Sequence, residues 1–143
     1  MKKLKKLIVL LGVSLLIACS EKSIYIEPEI NGQLFDIKTN RPLSNQKGYV
    51  SFYLNDTSGD NIETKADGSF KVDPFIEKYY YFEPNLKELY PSTGQIYIKY
   101  NGYKLKNYEY VEKYVQQNPN SNQDNSTYKK VDVGIIYLEP EKK

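Results

Sequence analysis

A chain of 143 residues is long enough for one domain with a single core. Of its 20 basic and 18 acidic residues, Lys2, Lys3, Lys5 and Lys6 precede the first apolar run with no acid among them; this leaves 16 basic and 18 acidic residues from Cys19 onward, with no basic stripe, and sets nucleic acid aside as a partner. Histidine is absent, which removes the commonest metal ligand and the commonest general base at neutral pH.

The chain opens with the positive stretch "MKKLKK", then the apolar run Leu7–Ala18. At about 12 residues that run is too short to span a bilayer, which takes roughly 20, and it has the shape of a secretory signal. The residues that end it, Leu16, Ile17, Ala18 and Cys19, resemble a bacterial lipobox: branched apolar side chains, a small residue, then a thiol. The resemblance implies a signal peptide over 1–18, cut before Cys19, and a multiply acylated Cys19 that holds the protein to the membrane. Two or more acyl chains give stable anchoring, since each buried CH₂ contributes about 0.8 kcal/mol. Cys19 is the only cysteine, so it has no intramolecular disulfide partner. Ser20 follows it, where lipoproteins retained in the inner membrane often carry Asp. By that resemblance the outer membrane is the expected location, or the outer face of the membrane in a single-membrane cell.

Residues 19–28 read as a lipidated tether. Glu29–Lys38 is rich in strand formers, and "TNRPLSNQK" is punctuated as a loop. In Gly48–Leu54, Val50, Phe52 and Leu54 alternate with Tyr49, Ser51 and Tyr53, the period of a half-buried strand. "NDTSGDN" is a turn, and "IETKADGSFKV" is the clearest hairpin, with Asp67-Gly68 at its tip and Phe70 plugging the core. Lys78–Phe82 and Gly94–Tyr100 read as strands, the second with Ile96, Ile98 and Tyr100 on one face; "EPNLKELYP" between them could hold a helical turn. Tyr108–Val115 fits a helix face through Tyr108, Val111, Tyr114 and Val115, and a strand through Tyr108 and Tyr110. A polar low-complexity segment, "QQNPNSNQDNST", reads as a disordered connection. "KKVDVGIIYLEP" is a closing strand, and 140–143 a charged tail. Short strands at a spacing of roughly 8–12 residues predict an all-β sandwich over 29–139.

The pattern Ile30-Asn-Gly32-x-x-x-Asp36-x-x-Thr39-x-x-Pro42-Leu43, followed by Thr64-x-x-Asp67-Gly68-x-Phe70, resembles the carboxypeptidase-regulatory-like domains. Asn101-Gly102-Tyr103 and Val133–Leu138 are similar to that family's later marks. The resemblance spans Ile30 to Leu138 and implies a single transthyretin-like or immunoglobulin-like Greek-key sandwich of about seven strands. The chain departs from the family in a longer, polar segment after Gly102-Tyr103 and in "SNQKGYV" before the second strand. The motif residues are structural ones. In the family such domains accompany enzymes and receptors or act as adhesion and scaffold modules.

No residue is expected to be catalytic or to bind metal, and no cofactor is expected. Asp56-Thr-Ser-Gly-Asp60 has two acids near a glycine but does not match the calcium-loop spacing, and reads as a solvated turn. No histidine can serve a serine nucleophile, and no G-x-S-x-G is present. The tyrosines are the unusual feature. Tyr79, Tyr81, Tyr97 and Tyr103 are candidates for an exposed aromatic surface, weighed against tyrosine as filler of half-buried strand faces. The expected function is a lipid-anchored, non-enzymatic envelope module that binds another envelope protein. The alternative is glycan binding or nutrient capture through exposed tyrosines. A row of exposed tyrosines would favour the glycan; a compact apolar patch or an open edge strand would favour the protein.

Overall fold

The computed structural model describes residues 20–54, 61–85, 94–119 and 129–142. The chain forms β1 (Lys22–Glu27), β2 (Glu29–Asp36), β3 (Arg41–Pro42), β4 (Lys47–Ser51), β5 (Asn61–Glu63), β6 (Ser69–Val72), β7 (Phe75–Tyr79), β8 (Gln95–Tyr100), β9 (Lys106–Glu109), α1 (Val111–Gln117) and β10 (Lys130–Leu138). In β8 the expected alternation holds: Ile96, Ile98 and Tyr100 are buried while Gln95, Tyr97 and Lys99 lie between them half-exposed.

The strands form an all-β sandwich. One sheet runs β5-β4-β8-β9, antiparallel throughout. The other is built on β2, with β10 parallel to it on one side and β6 and β3 antiparallel on the other. A single cluster fills the space between: Ile30, Leu34, Phe70, Val72, Val131 and Ile136 from the second sheet, Val50, Ile62, Ile96 and Ile98 from the first. Each such Ile, Leu, Val or Phe stabilises the fold by about 1.5–3 kcal/mol relative to exposure. Along β10 the inward positions change phase, from Val131 and Val133 to Ile136 and Leu138. The register slips between Asp132 and Ile135, and Gly134, at φ +71°, supplies the bulge that keeps both pairs in the core.

The described residues add to the sequence reading or depart from it at several points. The segment read as a tether carries β1: Ile24 and Glu27 are buried, and β7, separated from it in the chain by β2 to β6, pairs with it antiparallel. The β1–β7 ribbon continues the β2–β6 ladder. Partner numbers total 102 from Gln33↔Ser69 to Ile30↔Val72, and again at Glu27↔Phe75, which sets Pro28 opposite Pro74. Two prolines facing each other remove both ladder N–H groups at one position and split the ladder into two sheets.

The expected hairpin is local only. Lys65 N–H donates to Ser69 O and Gly68 N–H to Lys65 O, both at 2.9 Å, but β5 then joins β4 while β6 joins β2. Gly68 alone takes positive φ, +77°, so the turn passes the chain from one sheet to the other. The strand read at Lys78–Phe82 lies earlier, at Phe75–Tyr79, and Tyr80, Tyr81 and Phe82 project beyond it. The charged tail is pinned: Pro140 bridges Tyr103, and Glu141 N–H donates to Gly102 O at 2.8 Å.

Both readings of Tyr108–Val115 apply in succession, β9 ending at Glu109 and α1 starting at Val111. The strand at Gly48–Leu54 stops at Ser51, so Leu54 falls off the buried face. The lipobox, the Asp56–Asp60 turn, residues 86–91 of the stretch 83–91 expected to hold a helical turn, and residues 120–127 of the expected disordered connection 116–127 lie outside the described residues. The start of that connection is ordered, Gln116 and Gln117 belonging to α1 and Gln117 and Asn118 bonding to β10.

Candidate functional site

Pro42, Leu43, Thr64, Asp67 and Gly68 of the motifs meet in one interlocked corner. Gly68 O accepts from Leu34 N–H and Leu34 O from Leu43 N–H, each at 2.9 Å, so β2 is clasped by the turn and by the Pro42-Leu43 corner. A β-carbon on Gly68 would stand 2.6 Å from Leu34 O, which is why this approach requires glycine. Thr64, 1 % exposed, donates its hydroxyl to Leu43 O and accepts the N–H of Gln46 at 3.0 Å. Ser44 Oγ donates to Ala66 O at 2.6 Å. Asp67 Oδ1 accepts the N–H of Ser69 at 3.0 Å, and that bond holds its carboxyl below the usual range. Phe70 is buried beside Gly32. Every one of these groups is spent on holding the corner.

The candidate tyrosines do not form one surface. Tyr79 ends β7, half-buried, with Lys22 Nζ 5.8 Å from its ring centre. Tyr81 is exposed on the projection after β7. Tyr97 lies on the outward side of β8, its hydroxyl accepting from Gln95 Nε2 at 2.7 Å. Tyr103 sits in the turn after β8, where its hydroxyl donates to Asp36 Oδ2 at 3.0 Å. Burial raises the Tyr103 hydroxyl above its ordinary pKa, and the Asp36 carboxylate adds to this.

What does form one surface is the outward side of β2 and β10. Phe35 and Tyr137 are register partners with their rings edge to face at 6.1 Å. Ile135 and Tyr137, alternate residues of β10, are 48 % and 41 % exposed, and Ile37, which continues β2 by donating to Leu138 O, is exposed as well. The patch adjoins the outer edge of β10, whose first half is occupied by side chains: Gln117 bonds both main-chain groups of Asp132, Asn118 Nδ2 donates to Lys130 O, and Tyr108 donates to Val133 O. Nothing in sequence alternation marked this patch, since the slip at Gly134 reverses which residues of "VDVGIIYL" face out.

A buried polar cluster was also missed. Glu27 is 1 % exposed and accepts the Tyr110 hydroxyl; Tyr110 and Lys129 are buried beside it. Lys129 Nζ lies 6.0 Å from the Tyr114 ring centre. With Tyr25, Pro28, Gly94 and Val111 these groups line a cavity of about 230 Å³. Charged groups so placed need partners, and the cluster ties β1 to the start of α1. Among the described residues no group of three or more Asp, Glu or Cys is placed to hold a metal ion, and no helix is long and apolar enough to cross a membrane.

No protein-family model matches the chain, and no curated protein matches it. Among solved structures, the crystal structure of a 9R-lipoxygenase from Cyanothece PCC8801 is similar to 78 % of the chain at 18 % identity and a TM-score of 0.37. The chain spans 16 % of that protein's length, and at such a TM-score the likeness carries no argument about function.

Proposed function

We propose that the chain is a lipid-anchored envelope protein, held at Cys19, whose carboxypeptidase-regulatory-like sandwich is a non-enzymatic module that binds another envelope protein. The observation that carries the binding reading is the apolar outer face at Phe35, Ile37, Ile135 and Tyr137. Outward positions of a two-layer sandwich are ordinarily polar, and a contiguous exposed apolar patch marks an interaction surface. The partner fits as an extended segment laid beside β10, since the side-chain plug from α1 and Tyr108 reaches Lys130 to Val133 and stops there. The scattering of Tyr79, Tyr81, Tyr97 and Tyr103 favours a protein over a glycan. The interlocked corner supports the family resemblance, because Pro42, Leu43, Thr64, Asp67 and Gly68 act together there. The lipobox residues Leu16, Ile17, Ala18 and Cys19 support the anchor, and Ser20 the outer membrane. A photo-crosslinking residue at position 137, in intact cells, should give one discrete adduct that an Ile135→Lys change abolishes. An adduct unaffected by Ile135→Lys, or none at 137, would overturn the patch as the binding face.

A further inference from the structure

The residues directly after β7 form a projecting aromatic knuckle: Tyr80, Tyr81 and Phe82 are 52 %, 71 % and 89 % exposed. Three consecutive aromatic side chains presented to water are costly unless something covers them. The knuckle is fastened to the very start of the domain. Tyr80 donates its hydroxyl to Glu21 Oε1 at 3.0 Å, and Lys78 Nζ donates to Glu21 Oε2 at 2.8 Å. β1 and β7 hold the same two segments in register, with Lys22 opposite Tyr79 and Ser23 opposite Lys78. Cys19 precedes Glu21 by two residues, so chain geometry alone limits the separation of their Cα atoms to about 7 Å.

We infer that the knuckle seats in the interfacial layer of the bilayer beside the lipidated Cys19, the occupant being the lipid surface itself. This rests on the anchor proposed above: if Cys19 bears acyl chains, Glu21 stands at the headgroup level, and the groups bonded to Glu21 stand there with it. Tyrosine and phenylalanine suit that layer, because their rings take up the apolar side of the boundary while the tyrosine hydroxyls remain hydrated. Lys22 adds a basic group at the same level. Two contacts, acyl chains and knuckle, would hold the domain in one orientation, where a single flexible attachment would let it swing.

Because the chain has no tryptophan, Phe82→Trp introduces a single reporter at the most exposed knuckle position. The full chain is expressed in a bacterial host and extracted from its membranes. Lipid on Cys19 is read by mass, and the protein is placed in phosphatidylethanolamine and phosphatidylglycerol vesicles with brominated acyl chains. The expected result is a blue-shifted emission, quenched severalfold more than that of Tyr137→Trp, the comparison on the outward side of β10. Lipid present with no quenching at position 82, or with equal quenching at both positions, overturns the seating and leaves the anchor standing. No lipid on Cys19 overturns the anchor and the seating with it.

Discussion

Gln117 pairs with Asp132 as a strand would. Its Nε2 donates to the Asp132 carbonyl and its Oε1 accepts the Asp132 N–H, both at 2.8 Å. A side-chain amide carries the same donor and acceptor as a peptide group, so the last turn of α1 closes an edge that would otherwise offer itself to another chain. Gln117→Ala should lower stability by about 1 kcal/mol and speed exchange of the Asp132 amide hydrogen. Gln117→Glu should cost at least as much, since a carboxylate oxygen then faces the Asp132 carbonyl. Unchanged exchange at Asp132 in both variants would show that the plug does not form in solution.

Thr64 connects the corner to β5 through one hydroxyl that both donates and accepts. Thr64→Val keeps the volume and removes both bonds, leaving Leu43 O and Gln46 N–H without that partner. The expected loss is about 1–3 kcal/mol, measured by denaturant unfolding. Thr64→Ser keeps the hydroxyl and should recover most of it.

Gly48 makes room for Tyr100. A β-carbon there would stand 2.4 Å from the ring, whose hydroxyl donates to Ile62 O at 3.1 Å. Gly48→Ala should destabilise by about 1–3 kcal/mol through overpacking. Combined with Tyr100→Leu the cost should be less than the sum, because the second change removes the atoms the first collides with. Additive costs would mean that the clash is not the cause.

Asp36 gives the pH dependence its sign. The Thr39 N–H, then the Lys38 N–H and the Tyr103 hydroxyl, bond its carboxylate and hold its pKa below the ordinary value. A lowered folded pKa stabilises above the unfolded pKa, and that contribution is lost as pH falls through the folded one. Tyr103→Phe should therefore raise the Asp36 pKa towards the ordinary carboxylate value in a carbon-detected NMR titration. The acid limb of the stability curve should flatten to match. An unmoved Asp36 titration would remove Tyr103 from the account.

Replacing the Tyr110 hydroxyl addresses the buried cluster. Tyr110→Phe takes a donor from a carboxylate that is 1 % exposed, and should cost about 1.5–3 kcal/mol. The same change should loosen β1 first, seen as faster amide exchange at Ile24 and Tyr25 than in the core strands. Uniform exchange changes would place the cost in global stability alone.

Local signals reach as far as local causes. Alternation located β8 and its inward Ile96, Ile98 and Tyr100, because a strand's side-chain period is a property of the backbone. Asp67 and Gly68 marked the turn, because positive φ at Gly68 is a requirement of that residue alone. Leu16 to Cys19 marked an expected anchor through the types of its side chains. Which strands pair was a matter of distant partners. β1 needed β7 before "KSIYIE" could be a strand, and β5 and β6 parted to different sheets although one short turn joins them. The patch at Phe35 and Tyr137 and the knuckle beside Glu21 each join residues far apart in the chain. Their positions follow from register, from the bulge at Gly134 and from two prolines that face each other, and each of these is decided only when separate strands are brought into contact.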